Sequence, residues 1–197
     1  MKRIYLPLSR FLRRALPRLR PYWFHFLTGL RFFRMGRMNK VYGVENIHLG
    51  NKVSIGDFCW LEAVDRYGSQ QFTPLLELRS GTSLSDAVHI SAATRIVIGE
   101  NCLLGSRIYI GDHSHGAGRP DPASLQVPPG QRALANIAAI DIGANCWICD
   151  GAVILAGCRI HSGSVIAANA VVRLQTDEPA LIAGNPAKVI HYFRQAQ

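Results

Sequence analysis

A six-residue period constrains this chain more than any other feature. From Ile142 an aliphatic residue recurs at every sixth position, through Ile148, Ile154, Ile160 and Ile166 to Val172. Two residues ahead of each stands Ile140, Cys146, Ala152, Cys158, Ser164 or Ala170, nearly all of them small. Alternation along a strand sends residues two apart to the same face, so both members of each pair point inward. Gly or a small polar residue usually follows, as in Ile142-Gly143-Ala144-Asn145, and supplies a turn. Six residues are too few for a helical repeat and suit one short strand plus one corner of a coil.

The same phase runs through Leu49, Ile55 and Leu61, then Leu78, Leu84 and Ile90. After a two-residue slip at 95–96 it resumes at Ile98, Leu104 and Ile110. With three units per coil, the spacing predicts an all-β chain: a parallel β-helix of about five coils, interrupted at 65–74 and at 113–139. The second interruption is too long for a corner and protrudes; loops of that length are functional or disordered.

The register also bears on the cysteines. Cys146 and Cys149 spell C-x-x-C, a pattern of redox or zinc chemistry. Yet Cys59, Cys102, Cys146 and Cys158 all occupy the small inward slot, and only Cys149 lies outside it. They are expected to fill the core, and no metal is expected. Outward slots carry Val97, Leu103, Tyr109, Trp147, Val153, Val165 and Val171. Surface β-propensity explains such residues singly. As strips they favour packing between subunits, because soluble monomers rarely expose large apolar patches.

Charge is unevenly spread. The chain carries 22 Lys or Arg against 13 acids. Residues 1–40 hold eleven of those cations and no acid, so the remainder is close to neutral. A nucleic-acid partner, which calls for cations and stacking aromatics over the folded surface, is not expected. Three divisions follow: a basic N-terminal arm at 1–40, the coil domain at 41–190, and a tail at 191–197; a short C-terminal helix is also expected. In the arm, Ile4, Leu8, Phe11, Leu12, Ala15 and Leu16 share one helical face, with Pro7 and Pro17 bracketing the segment. Aromatic residues crowd 22–26. Basic charge beside an apolar face fits a helix lying on an anionic membrane; it equally fits a cap over the open first coil. The apolar stretch 22–33 is interrupted by His25 and Arg31 and is too short to span a bilayer. Five cysteines without a recognisable secretory signal point to a reducing compartment. A cytoplasmic location, peripheral on the inner membrane face, is expected.

Asp112-His113-Ser114-His115-Gly116 opens the long loop. Imidazole ordinarily titrates near neutrality, which suits His113 to accept a proton at the coil edge. A loop histidine is also commonly a solvated polar residue. Two histidines beside Asp112 are also a partial metal-ligand set, but nothing else completes it with recognisable spacing.

That segment, Ile142-Gly143-Ala144-Asn145-Cys146-Trp147-Ile148, and Ile182-Ala183-Gly184-Asn185-Pro186-Ala187-Lys188-Val189-Ile190 together resemble the hexapeptide-repeat acyltransferases. The branch they look most like comprises bacterial O-acetyltransferases of lipopolysaccharide, O-antigen or exopolysaccharide sugars. The resemblance runs from about Val44 to Ile190. It implies a left-handed β-helix, a hand the repeat alone does not dictate, since parallel crossovers are nearly always right-handed. It further implies a homotrimer with sites between neighbouring prisms, and acetyl-CoA as donor to a sugar or glycolipid hydroxyl. His113 matches the general base. His115 and Trp147 match positions lining the acceptor pocket and the donor channel, and Ser85 and Asp86 positions in the acceptor site. Ala168 and Lys188 match cofactor contacts. Two positions depart from the pattern: Ile148-Cys149-Asp150 where relatives often read Ile-Gly, and Arg173-Leu174 where they often read Thr-Lys. Arg173 is placed to meet a cofactor phosphate. A non-catalytic scaffold and a metal-dependent hydratase on the same fold are the other two readings.

Overall fold

The computed structural model describes Leu19, residues 21–116, Pro122 and residues 124–193. Among these, short strands wind around three faces. The first face stacks five strands, among them Ile47–Leu49, Arg95–Ile98 and Ile140–Ile142. The second stacks eight, including Ser54–Ile55, Leu103–Leu104 and Trp147–Ile148; the third stacks six, including Trp60–Ala63, His89–Ala92 and Tyr109–Gly111. The chain visits the faces in that order, first to second to third, and each strand pairs in parallel with its counterpart one coil away. The architecture is a left-handed parallel β-helix, as the resemblance implied.

The inward pairs form the core. Leu61, Leu78, Ile90, Ile98, Leu104, Ile110, Ile148 and Ile154 are completely buried, each burial contributing about 1.5–3 kcal/mol. Cys59, Cys102, Cys146 and Cys158 lie in the same interior, while Cys149 is half-exposed. Burial raises the thiol pKa of Cys59 and Cys158, which suits core filling rather than nucleophilic use.

Corners turn through one left-handed residue each: Lys52, Asn101 and Asn145 between the first and second faces, and Phe58, Ala87, Arg107 and Asn169 between the second and third. Stacked corners leave little room. A Cβ on Gly99 would stand 2.5 Å from the Ala144 nitrogen in the next coil.

Coil pairing starts inside the basic segment: Arg34–Met35 pairs with Ser54–Ile55, and Lys40–Tyr42 with the strand at Trp60. Leu19 and residues 21–28 are helical. Leu30, Phe32 and Met35 join the core cluster, with Phe24 packed against it. Tyr22, Trp23, Phe26 and Leu27 on the same helix are exposed. The amphipathic segment at 4–16 lies outside the described residues. No helix among the described residues is long and apolar enough to cross a membrane.

The far end corrects one expectation. In place of a short C-terminal helix, Ala187–Tyr192 is a strand, folded back antiparallel on Ala180–Gly184. The last coil leaves a row of unpaired backbone groups that a returning strand satisfies, and Val189, Ile190 and Tyr192 favour extended backbone. Residues 194–197 are outside the described set.

Candidate active site

Both interruptions leave the β-helix at the third-to-first corner, after the first and third coils, so they rise from one edge. On that edge the first interruption folds into a small hairpin, Arg66–Tyr67 against Gln70–Gln71. The second returns on itself through Ser114–His115 pairing with Leu134–Ala135. The two dock together. The Gln70 side chain accepts the Leu134 N–H at 2.6 Å and donates to the Leu134 carbonyl at 3.1 Å, as a strand neighbour would. Tyr67 donates its hydroxyl to the Gly130 carbonyl at 2.5 Å and sets its ring edgewise against His115, centroids 5.1 Å apart.

Between the interruptions, the second coil turns the same corner tightly at 93–95. Three consecutive backbone N–H groups there need partners, and Asp112 in the next coil supplies them. One carboxylate oxygen accepts Ala93 N–H at 2.8 Å; the other accepts Thr94 and Arg95 N–H at 2.7 and 2.9 Å. The carboxylate is fully buried. It also meets His113 Nδ1 at 2.9 Å, and the His113 side chain is only 8% exposed. An ionised carboxylate has no proton to give, so Nδ1 is the donor and carries the ring proton. In the neutral ring Nε2 is then the basic nitrogen, and it has no hydrogen-bond partner among the described residues. A fixed tautomer with its basic nitrogen facing outward is what a general base requires.

Outward side chains of the third face continue the site below His113. Trp60, His89 and Tyr109 stand in register in successive coils. Trp60 and His89 stack at 4.3 Å and 12°, Tyr109 meets His89 edge-on at 5.3 Å, and Lys40 Nζ lies 4.9 Å over the indole. Burial, helped by the Lys40 charge, lowers the His89 pKa, so the neutral ring is favoured. The Tyr109 ring reaches sideways over Gly111, where any Cβ would overlap its hydroxyl. Burial, then Asp112 and Glu62, push the Tyr109 pKa up and keep that hydroxyl protonated.

The other candidates from the sequence fall elsewhere on the chain. Ser85 and Asp86 occupy the second-to-third corner, and Asp86 accepts the Asp57 N–H at 2.7 Å, so its carboxylate holds stacked corners together. Trp147 projects from the second face with about half its surface exposed. Ala168, Arg173 and Lys188 are exposed on the last coils and the closing strand. A single chain therefore unites His113 with His115 and sets Arg173 at the same corner two coils further on, just after Val171–Val172, but does not bring Trp147, Ala168 or Lys188 onto that face.

Sequence reading noted Asp112 only as a neighbour of His113 and missed Trp60, Glu62, Tyr67, Gln70, His89 and Ser91. The signal for Trp60 and His89 was available: once the coil register is set, positions 60, 89 and 109 share one outward column. Gln70 carried none, because its partner lies 64 residues away.

Comparison with known proteins places the chain among similar sequences and folds. The family described as bacterial transferase hexapeptide (six repeats) matches residues 140–173. A protein of Escherichia coli K12 named as a lipopolysaccharide biosynthesis O-acetyl transferase, WbbJ, is 38% identical over 112 residues, 56% of this chain and 57% of its own length. The match thus spans little more than half of that relative. An E. coli dTDP-4-amino-4,6-dideoxy-D-glucose acyltransferase is 26% identical over 156 residues, 76% of this chain and 73% of that one. In fold, the chain resembles AntD, an N-acyltransferase from Bacillus cereus solved with dTDP-4-amino-4,6-dideoxyglucose and coenzyme A, at a TM-score of 0.63 and 15% identity over 87% of this chain and 89% of that one.

Proposed function

We propose that this chain is a hexapeptide-repeat transferase and acts as an acyl-CoA-dependent O-acyltransferase, moving an acetyl group from acetyl-CoA to a sugar hydroxyl of a surface polysaccharide, O-antigen or glycolipid precursor. The observation that carries this reading is the Asp112–His113 pair, which fixes the ring through Nδ1 and leaves Nε2 free beside a docked loop. In the reaction, Nε2 takes the proton of the sugar hydroxyl as its oxygen attacks the thioester carbonyl. A backbone N–H stabilises the tetrahedral oxyanion. Collapse expels the CoA sulfur, which recovers the proton from the imidazolium. No covalent acyl-enzyme is needed, because aligning both substrates already removes much of the entropic barrier. His115 lines the acceptor side, with Ser85 and Asp86 as weaker candidates there, and Trp147, Ala168, Arg173 and Lys188 line the cofactor.

Thiol release from acetyl-CoA in the presence of sugar acceptors tests the activity directly. Mass spectrometry of surface polysaccharide, with and without the protein, is expected to show loss of an acetyl mass. An unchanged glycan together with no acceptor-dependent thiol release would refute the assignment.

Because Trp147, Ala168 and Lys188 lie apart from His113 on one chain, the site is completed by a neighbour in a homotrimer. The character of the faces supports this arrangement. Outward positions on the second face include Leu103, Trp147 and Val165, and on the third Tyr109, Val153 and Val171. The first face instead presents Glu77, Asp141 and Arg159, with Arg95 paired to Asp141 at 2.6 Å. Two apolar faces pack against neighbours and the charged face stays in water. Val153→Asp is expected to shift sedimentation from trimer to monomer and to remove transfer with it. A variant that stays trimeric would refute this packing.

The N-terminal arm, finally, brings the trimer to its acceptor at the inner face of the cytoplasmic membrane. Contacts of Leu30, Phe32 and Met35 with the core support a capping role for that stretch, while exposed Tyr22, Trp23, Phe26 and Leu27 remain for the lipid surface. Removing residues 1–20 is expected to weaken binding to anionic vesicles, each lost cation contributing about 1 kcal/mol. Equal vesicle binding by the truncated and full-length chains would exclude the membrane role.

A further inference from the structure

Beside the column of Trp60, His89 and Tyr109 runs a second outward column on the third face: Tyr42, Glu62, Ser91 and Gly111, in register in successive coils. Glu62 is the unusual member. Its carboxylate is half-buried and receives one long hydrogen bond, from Ser91 Oγ at 3.4 Å. No Lys, Arg or His among the described residues forms an ion pair with it. A carboxylate offers about four acceptor sites, so most of its capacity is unused. Two further polar atoms in the neighbouring column, Trp60 Nε1 and His89 Nε2, are buried without a partner. An unpaired buried polar group costs about 1–3 kcal/mol, so atoms of this kind are ordinarily satisfied by something outside the chain.

These groups converge on the catalytic edge. The Tyr109 hydroxyl, poised over Gly111, feels the charges of both Asp112 and Glu62. The Ser91 carbonyl accepts the Asp112 N–H at 3.4 Å, Ser91 lies opposite Gly111 and reaches Glu62, so Glu62, Ser91, Tyr109 and the loop entry at His113 share one rim of the third face. An acceptor whose reacting hydroxyl lies at His113 Nε2 would place its adjoining ring substituents against Ser91 and Glu62.

We propose that Glu62, supported by Ser91, binds the acceptor by accepting hydrogen bonds from hydroxyls next to the one acylated, and that it selects neutral pyranoses over acidic ones. This inference rests on the O-acyltransferase reading and names its acceptor class. A carboxylate accepting from a vicinal diol forms charge-assisted bonds, stronger than those between neutral groups. The same charge repels a uronic or other acidic sugar held at that distance, which gives discrimination by exclusion.

The test uses the full-length protein, acetyl-CoA and a panel of methyl pyranosides, each with its singly deoxygenated analogues and the corresponding uronic acid, read by thiol release. In the wild-type protein, removing the hydroxyl beside the acylated one is expected to lower kcat/KM about tenfold to a hundredfold. In Glu62→Gln the parent sugar loses a comparable factor, the deoxy penalty largely disappears, and the uronic acid gains relative to the neutral sugar. A residue that only supports the fold would lower activity on all acceptors alike and leave those ratios unchanged. Equal deoxy penalties in the two proteins overturn the inference, as does preferential N-acylation of an amino sugar. If calorimetry shows coenzyme A binding but no neutral pyranoside is acylated, the acceptor class is wrong while the acyl-CoA reading stands. If coenzyme A does not bind, both fall.

Discussion

His113→Ala is expected to reduce acetyl transfer on the order of 10²–10⁴-fold, the usual contribution of a positioned general base, while leaving the proposed trimer and the thermal midpoint nearly unchanged. The stability half of that expectation follows from where the residue sits. His113 enters no core cluster, and its one hydrogen bond is to Asp112, which keeps three backbone partners when the ring is removed. The activity half follows from Nε2, which has no other role among the described contacts. Single-turnover measurements with acetyl-CoA and a sugar acceptor separate chemistry from product release. The loss is expected in the chemical step, with KM for acetyl-CoA little affected. Turnover near the wild-type rate would remove His113 as the base.

The coil framework was legible because it is a local rule applied many times. Each inward pair, such as Cys146 with Ile148, is fixed by alternation within one strand, and the six-residue spacing fixes the next pair. The burial of four cysteines followed from the same register. What the period could not reveal is what happens between coils. Asp112 reads as a loop residue in sequence, yet its partners are backbone groups 17 to 19 residues earlier. Tyr67 and Gln70 sit in an interruption whose composition carries no motif, and their contacts with 115, 130 and 134 arise because both interruptions leave at one corner. Glu62 and Ser91 looked like ordinary outward strand positions, and only stacking across 29 residues makes them neighbours. At the C-terminus the error had another origin. Val189 and Ile190 favour extended backbone, but only the open edge of the final coil, which the repeat does not display, gives that strand a partner.

Asp112 should be the second most sensitive position, and two substitutions there separate its structural work from its catalytic work. Asp112→Ala strips the partner from Ala93, Thr94 and Arg95 N–H at a corner where the Ala93 end is buried. With each orphaned donor costing about 1–3 kcal/mol, a large drop in thermal midpoint is expected. Asp112→Asn is nearly isosteric and can still accept from Thr94 and Arg95 through its amide oxygen. Its NH₂ group then points at Ala93 and at His113 Nδ1, where a donor now stands in place of an acceptor. Nδ1 must give up its proton to accept that bond, and the proton moves to Nε2. The ring is then held in the tautomer that cannot take a proton from the sugar hydroxyl. Activity is expected to fall on the order of 10²–10⁴-fold, as on removal of the base itself, while the midpoint falls less than in the alanine variant. Imidazole ¹⁵N shifts provide the decisive reading: Nδ1–H in the wild-type protein and Nε2–H in Asp112→Asn. An asparagine variant that keeps the wild-type tautomer and turnover would reduce Asp112 to a brace for the 93–95 corner. Loss of activity in proportion to loss of folded protein would say the same.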